Sequence, residues 1–319
     1  MLIGLVFGLG NTPFAVAQSL ATFPAKPVRF IVPLTQGGSN DIIARTIAER
    51  LSGMWPHPVL VENRPGAGSN IGTELVAKSA PDGHTWLLAP NNVFVVNPHL
   101  GKTGFDPFKD FTPVMQLAQI AFLLTVNAQV PANNVPELIA LAKAKPNSLA
   151  YGSAGNGAPH HLGAAMFNSM TGIEMLHVPF KGAIPGVTEL LAGRIQVWIG
   201  ASNTILPHIQ AGKLRALGSA GSKRFPVLPD LPTIAEAGVP GYAMDIWLGL
   251  ALPANAPPEV VNKIHADVSK ALGSAELREK FSAQGIDISL STPSELTRTI
   301  RDDYERWGKV IKTAGIKGD

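Results

Sequence analysis

The residues with the clearest chemical potential form a polar turn at positions 36–40, with the sequence Gln-Gly-Gly-Ser-Asn. The apolar run before it, at 30–34, is typical of a strand, and apolar residues with helical spacing follow from 41 to 51. Ser39 and Asn40 are favourable N-cap residues, so the pattern predicts a strand, a glycine turn and a helix start. Free backbone N–H groups and the dipole at such a start favour an anion, and a carboxylate suits that place. An ordinary strand-to-helix turn is the alternative, because glycine-rich turns are common.

A second polar turn of the same kind spans residues 153–157, with the sequence Ser-Ala-Gly-Asn-Gly. The spacing predicts a strand at 149–151 before it and a helix at 159–170 after it. Asn91 and Asn92 follow another predicted strand. Ligands of open α/β sheets bind beyond the carboxyl ends of strands, so both places are candidate ligand contacts. A capped turn is the alternative for the asparagine pair.

Ser153, His160 and His161 do not form a convincing catalytic or metal site. The turn reads Tyr-Gly-Ser-Ala-Gly from position 151, whereas a nucleophile elbow requires Gly-x-Ser-x-Gly. Both histidines follow Ser153 at one helix start, a poor geometry for a general base, and the metal pattern His-Glu-x-x-His is absent. We therefore expect no metal. His161 is interpreted as a structural hydrogen-bonding residue, whereas His160 is a candidate ligand contact.

Residues 66–72 spell Gly-x-Gly-x-x-x-Gly, which matches a dinucleotide-binding fingerprint only in part. The fingerprint places its first glycine at the end of a strand, but residues 62–65 separate this glycine from the predicted strand at 59–61. The following strand also lacks the acid that would bind a ribose. We expect no nucleotide cofactor, and we interpret Glu62 and Arg64 as braces of the loop.

The composition describes a globular protein with a sizeable core, since 45% of the 319 residues are apolar and 15% are charged. This length suits one large domain or two medium ones. The net charge is +3 with no run of five basic residues, so nothing favours a nucleic-acid partner. The chain has no cysteine, which excludes disulfides, thiolate metal sites and cysteine nucleophiles.

The first 17 residues differ from the rest of the chain. They are apolar and rich in glycine, and they end in Ala15-Val16-Ala17, which has the small-x-small pattern of a signal-peptide cleavage site. We predict an export signal at 1–17, cleaved after Ala17, and a periplasmic location. No later segment has the run of about twenty apolar residues that a membrane span needs.

Strand and helix patterns alternate along the chain and begin again near residue 149. Such alternation predicts parallel sheets covered by helices, here in two α/β lobes. Three helical patterns, at 257–272, 275–284 and 293–314, complete the chain.

A series of ordered motifs resembles one family over nearly all of the chain after residue 23. They lie at 26–33, 37–41, 61–68, 81–83, 97–98, 151–153, 177–182, 207–209, 211–216, 228–230, 235–238, 240–242 and 314–317. The chain resembles the Bug family, the periplasmic solute-binding proteins of tripartite tricarboxylate transporters. The resemblance implies an α/β, two-lobed periplasmic-binding-protein (Venus flytrap, type II) fold, in which each lobe is a mainly parallel sheet flanked by helices.

The resemblance also implies a domain organisation and a function. After the signal peptide at 1–17, residues 23–122 and 248–319 form a discontinuous lobe 1, and residues 123–247 form lobe 2. A monomer without cofactor or metal captures a small organic acid between the lobes and delivers it to the membrane components of the transporter. The alternatives are a ligand-sensing periplasmic protein that feeds a signalling system and, less favoured, a hydrolase. A regulator's effector-binding module would need a DNA-binding helix-turn-helix, and the N-terminus holds an export signal instead.

In such proteins the ligand carboxylate rests on the loop after the first strand and faces a loop of the other lobe. The candidate ligand-binding residues of this sequence are Thr35, Gln36, Gly37, Gly38, Ser39, Asn40, Asp41, Asn91, Asn92, Ser153, Asn156, Gly157, His160, Phe180, Gly200 and Ala201. Asp41, beside the helix start, suits capping better than ligand contact. Gln196 and Gly200 stand where many relatives carry acids, so an ammonium group would lack a countercharge. We therefore expect an aliphatic or aromatic mono- or dicarboxylate without an amino group.

Overall fold

The chain folds into two lobes, each built on one sheet. The structure is a computed structural model that describes residues 23–314, and the predicted export signal lies outside the described residues. The first elements are β1 (Val28–Val32), α1 (Ser39–Ser52), β2 (Val59–Asn63), α2 (Asn70–Ala77), β3 (Thr85–Pro90), α3 (Asn92–Val95), α4 (Asn97–Leu100) and β4 (Phe111–Ile120). A short 3-10 turn, Ala67–Ser69, directly precedes α2.

The remaining elements fall into two groups along the chain. The first group is β5 (Phe122–Asn127), α5 (Val135–Ala144), β6 (Ala150–Ser153), α6 (Pro159–Thr171), β7 (Leu176–Pro179), α7 (Ala183–Leu191), β8 (Val197–Ala201), α8 (Ser202–Gln210) and β9 (Leu214–Ser219). The second group is β10 (Ile246–Pro253), α9 (Pro258–Leu272), α10 (Ala275–Ser282), β11 (Ile286–Ile288) and α11 (Pro293–Ala314).

The six-stranded sheet of lobe 1 has the order β11-β4-β10-β3-β1-β2, and the five-stranded sheet of lobe 2 has the order β7-β6-β8-β5-β9. The pairs β1–β2, β1–β3, β6–β7 and β6–β8 are parallel. The pairs β3–β10, β4–β10, β4–β11, β5–β8 and β5–β9 are antiparallel. Both sheets are therefore mixed, which corrects the expectation of mainly parallel pairing within the two-lobed α/β architecture.

The mixed pairing follows from the way the chain passes between the lobes. The chain leaves the first sheet at Ile120 and enters the second at Phe122, so β5 begins with no covering helix before it. It returns to the first sheet at β10, again without a helix that would bring it back parallel to a neighbour. The domain limits predicted at residues 122/123 and 247/248 remain a prediction.

The core consists of strands that are buried on both faces and helices that bury one face. Every residue of β3, β5, β8 and β10 is buried, which explains their nearly continuous apolar sequences. In α11, Leu296, Ile300, Trp307 and Ile311 recur at helical spacing and are buried, so this helix packs one apolar stripe against the sheet. None of the helices within residues 23–314 is both long enough and apolar enough to cross a bilayer.

The carboxyl ends of the parallel strands meet at the boundary between the lobes. β1, β2 and β3 end there in lobe 1, and β6, β7 and β8 end there in lobe 2. Five helices of eight residues or more, α1, α2, α6, α7 and α8, begin in the segments that follow these strands, and the short α3 follows β3. The fold thus directs five helix N-termini at one interlobe region, as expected where ligands bind in open α/β sheets.

Glu62 on β2 is expected to contribute stability that depends on pH. Its carboxylate accepts hydrogen bonds from Arg29 Nε (2.7 Å) and Arg64 Nη2 (2.9 Å), and the Arg29 bond is the main reason that its pKa is lowered to about 2. Because the folded pKa lies below the unfolded value, this stability is present above about pH 4.5 and is lost as the pH falls through about 2.

We expect Glu62→Gln to lower the free energy of unfolding by about 1 kcal/mol at pH 7, since both arginines are roughly half exposed. Chemical denaturation from pH 7 to pH 2 measures the effect. The difference between wild type and variant should shrink as Glu62 is protonated. A difference that stays constant down to pH 2 would contradict the assignment.

Candidate functional site

The lobes touch each other across the cleft through the loops that follow the parallel strands. Ser39 Oγ, at the start of α1, donates to Asn203 Oδ1, at the start of α8, over 2.7 Å. Asn92 Nδ2 of lobe 1 donates to Gly157 O of lobe 2 over 3.3 Å. The Cα of Gly182 approaches Thr35 so closely that an added Cβ would lie 2.3 Å from Thr35 Oγ1. The structure therefore shows a closed arrangement of the two lobes.

A cavity of about 650 Å³ lies between the lobes beside these contacts. Lobe 1 contributes residues 33–35, 65–70 and 100–102 together with Asn97, and lobe 2 contributes residues 154–158 and 180–182 together with His161. Its volume is within the range of small-molecule sites in proteins, about 300–1,000 Å³. The cavity can therefore hold a small organic molecule in contact with both lobes.

The charges around this cavity favour an anion. Lys102 and Lys181 are the charged side chains among its lining residues, and no aspartate or glutamate of the described chain lines it. Thr35, Ser69 and Asn156 add hydroxyl and amide groups. An ammonium ion brought into this cavity would lose water without gaining a carboxylate partner.

The helices that begin at the cleft lack side-chain caps. No cap side chain accepts a hydrogen bond at the N-terminus of α1, α2, α6, α7 or α8, where the N-cap residues are Gly38, Ser69, Ala158, Gly182 and Ala201. Away from the cleft, Asn134, Ser274 and Thr292 cap α5, α10 and α11, although α9 has no such cap. Backbone N–H groups at the cleft are thus left available to a bound anion.

Several buried polar atoms near the cleft have no hydrogen-bond partner within the described chain. They are Asn40 Nδ2, Ser69 Oγ, Asn91 Oδ1, Asn92 Oδ1, Trp198 Nε1 and both ring nitrogens of His160. Proteins rarely leave buried polar groups unpaired, because each such group costs free energy. Of these residues Ser69 lines the cavity, so its hydroxyl is available to a polar ligand.

His160, in the first turn of α6, packs between two aromatic rings. Its ring centroid lies 5.2 Å from that of Phe122 and 4.9 Å from that of Trp198. Burial lowers the pKa of His160 to about 3, so the imidazole is neutral at physiological pH. Gly200 leaves room for the indole of Trp198. An added Cβ at this position would lie 2.0 Å from Trp198 Nε1. Ala201 is the buried last residue of β8 beside it.

Asp41 holds the first loop in shape rather than facing the cavity. Its carboxylate accepts hydrogen bonds from Gly37 N (3.1 Å), Asn63 Nδ2 (3.0 Å) and Arg45 Nε (3.0 Å). Burial alone would raise its pKa, but these hydrogen bonds and the Arg45 charge hold the pKa below its usual value. These hydrogen bonds fix the shape of the loop. Open space lies beside the Cα of Gly38, and Gln36 is exposed at the tip of the loop.

Asn91 and Asn92 connect loops on the lobe 1 side of the cleft. Asn91 Nδ2 donates to Asp245 O (3.1 Å), in the segment that leads back into β10. Asn92 Nδ2 donates to Gly68 O (3.1 Å) as well as to Gly157 O of the other lobe. Both side chains therefore brace the site, and each leaves one buried oxygen without a partner in the part of the chain that the structure describes.

The hydroxyl of Ser153 is engaged within lobe 2. Ser153 Oγ lies 2.7 Å from His177 Nε2 and accepts a hydrogen bond from Gly155 N over 3.2 Å. A serine beside a histidine is one component of a hydrolase site, but Ser153 is 0% exposed and cannot reach a substrate carbonyl. Within residues 23–314, no cluster of three metal-ligating side chains occurs.

Of the sequence candidates, the cavity is lined by Thr35, Asn156, Gly157 and Phe180. The other candidates lie in neighbouring loops and strand ends and do not line it. The cavity residues at 65–70 and 100–102, together with His161 and Lys181, are not among the ligand contacts predicted from the sequence. The glycine-rich sequence at 66–72 is a usable signal, since it follows a strand of the same sheet as the first loop. Nothing in the local sequence marks the two lysines.

The two serines are expected to respond differently to the same substitution. Ser39→Ala removes a hydrogen bond that joins the lobes, so we expect ligand affinity to fall about threefold to tenfold while the melting temperature of the free protein is unchanged. Ser153→Ala removes the two hydrogen-bond contacts that the fully buried hydroxyl makes with His177 Nε2 and Gly155 N, so we expect a loss of about 1–3 kcal/mol of stability.

Calorimetric titration and thermal melting of both variants measure these effects. Ser148→Ala on the surface of lobe 2 provides a matched control, because its hydroxyl donates to the nearby Lys145 O and takes no part in the contacts between the lobes. The control should leave both affinity and melting temperature close to wild type. A lower melting temperature for Ser39→Ala with intact affinity would contradict the interlobe role.

Comparison with known proteins places the chain among transport receptors. The family model described as the tripartite tricarboxylate transporter family receptor, TctC, matches residues 43–316. The structure of R. palustris Rpa4515 with adipate is 37% identical, covers 92% of this chain and 99% of that chain, and superposes with a TM-score of 0.88. MatC (Rpa3494) from Rhodopseudomonas palustris with bound malate is 30% identical, with coverages of 91% and 100% and a TM-score of 0.86.

The periplasmic binding protein BugD is 30% identical, with coverages of 93% and 100% and a TM-score of 0.87. Two lobes that enclose a cavity at their strand ends, together with this likeness, define a solute-binding receptor with the periplasmic-binding-protein fold. The chain belongs to the TctC family, the receptors of tripartite tricarboxylate transporters. It is a binding protein and not an enzyme, and both the predicted family and the two-lobed fold are confirmed.

Proposed function

We propose that this receptor captures a small organic carboxylate in the interlobe cavity and delivers it to the membrane components of its transporter. The observation that carries the proposal is the cavity itself, which has two lysines and no acid among its described lining residues. The uncapped starts of α2, α6 and α7, whose N-cap residues line the cavity, add backbone N–H donors for the same kind of ligand.

The ligand class is an organic acid without an amino group. Asp41, the acid in the first loop, is already engaged by Gly37, Asn63 and Arg45, so it offers no free countercharge to an ammonium. Adipate and malate, the acids named with two similar structures, both belong to this class. Phe180 supplies a flat apolar surface at the cavity wall that would also suit an aromatic acid.

The protein works outside the cytoplasm as a monomer. Export through the signal at residues 1–17, with cleavage after Ala17, is part of the proposal, since a receptor of this family must meet its ligand before the membrane components do. Cell fractionation followed by N-terminal sequencing tests this point. Recovery of an uncleaved chain in the cytosol would overturn it.

A thermal-shift screen tests the proposed function. The purified protein is heated with a panel of mono- and dicarboxylates, sugars, amines and amino acids. We expect organic acids to raise the melting temperature, because a ligand that binds only the folded state stabilises it. Stabilisation by sugars or amines, with no response to any acid, would contradict the proposal.

A further inference from the structure

Two lysines from different lobes line the same cavity. Lys102 follows α4 in lobe 1, and Lys181 lies between β7 and α7 in lobe 2. Both side chains are exposed rather than packed into a lobe. The cavity is therefore bordered by one lysine from each lobe.

Neither lysine forms an ion pair within the part of the chain that the structure describes. The ion pairs formed within residues 23–314 involve other lysines and arginines, among them Lys26, Lys78 and Lys109, but not these two. The cavity also lacks an acidic lining residue among those described. Two unpaired positive charges at one cavity favour a ligand that carries more than one negative charge.

The loops that carry the lysines are held in place by contacts close to each of them. On the lobe 1 side, Gly101 N donates to Asn97 O (3.3 Å), and Asn97 Nδ2 in turn donates to Gly68 O (2.9 Å). On the lobe 2 side, Gly182 packs directly against Thr35 of the opposite lobe. The backbone next to Lys181 is thus in direct contact with lobe 1.

We propose that Lys102 and Lys181 form a two-lobed clamp for the second carboxylate of a dicarboxylic acid, and so determine specificity for dicarboxylates over monocarboxylates. The inference rests on the proposed function, in which the first carboxylate meets the uncapped helix starts. Because the two lysines belong to different lobes, a dianion can meet both charges only where the lobes come together.

Matched acids test the clamp. Adipate and hexanoate have the same chain length, and hexanoate replaces one carboxylate with a methyl group. Calorimetry measures the affinity for both acids and for the other α,ω-dicarboxylates from succinate to suberate. The proteins compared are wild type, Lys102→Gln, Lys181→Gln and the double variant. Lys143→Gln is the matched control, because Lys143 is exposed at the end of α5 and does not line the cavity.

We expect each single variant to weaken dicarboxylate binding about tenfold, or about 1.4 kcal/mol, and to leave monocarboxylate binding within about twofold. In the double variant the preference for dicarboxylates should be lost. Melting temperatures of the free variants should match wild type, since both lysines are exposed.

Other outcomes separate the clamp from the proposed function. If dicarboxylates bind but the lysine variants weaken both acid classes equally, or weaken neither, the clamp is overturned and the proposed function stands. Tighter binding of hexanoate than of any dicarboxylate by wild type also overturns the clamp. If no acid of either class binds, the proposed function fails and the clamp fails with it.

Discussion

Gly182→Ala is expected to weaken ligand binding by about thirtyfold, because it obstructs the closed arrangement of the lobes. The new Cβ would lie 2.3 Å from Thr35 Oγ1, 2.9 Å from Thr35 Cγ2 and 3.1 Å from Thr35 Cβ, so no rotation of the threonine relieves the clash. The φ of Gly182 is +126°, which adds strain for any other residue. If the closed state becomes less favourable by about 2 kcal/mol, the apparent affinity falls by about thirtyfold.

Gly212→Ala is the matched control for this variant. Gly212 also has a positive φ, +71°, but has open space where the Cβ would be added. The substitution Gly212→Ala should therefore lower the stability through backbone strain and leave the ligand affinity unchanged. Calorimetry gives the affinity, and small-angle scattering reports whether saturating ligand still compacts the protein. Normal compaction and affinity in Gly182→Ala would contradict the role assigned to closure.

Asp41→Ala is expected to lower the free energy of unfolding by about 2 kcal/mol and to weaken ligand binding about tenfold. The substitution removes the acceptor for Gly37 N, Asn63 Nδ2 and Arg45 Nε. The loss of stability is moderate because Arg45 is about half exposed and can be solvated when its partner is removed. The affinity falls because the first loop no longer holds its N–H groups in one arrangement.

Asp287→Ala is the control for this second variant, since Asp287 is exposed on β11 and forms no ion pair among the described residues. Chemical denaturation and calorimetry measure both proteins. A variant Asp41→Ala that is as stable as wild type but does not bind ligand would show that the carboxylate contacts the ligand itself.

Helices whose apolar residues recur at a regular helical spacing can be predicted from the sequence. The pattern at 293–314 predicts a helix with the bounds that the structure shows, because its apolar residues recur at helical spacing and Thr292 caps its start. By contrast, the sequence does not predict the strand β4. It has Pro113 near its start and no clear alternation, and its partners β10 and β11 lie far away in sequence.

In the site, too, some residues have a signal in the local sequence and others depend on contacts between distant segments. The loops at 35–41 and 153–157 can be nominated from glycines that follow predicted strands, and they remain proposed ligand contacts. The cavity between them depends on how the lobes pack, so Lys102 and Lys181 carry no local signal. Asp41 and Ser153 stand in the expected loops, but only the structure reveals that their side chains are engaged by other residues.

The central claim is that the cavity takes a carboxylate and rejects an ammonium group. Calorimetric titration with matched acids, succinate against aspartate and adipate against 2-aminoadipate, tests it most directly. We predict that each acid without the amino group binds at least about tenfold more tightly, because no acidic residue among those described lines the cavity. Tighter binding of aspartate or 2-aminoadipate than of the matched acid would contradict this claim.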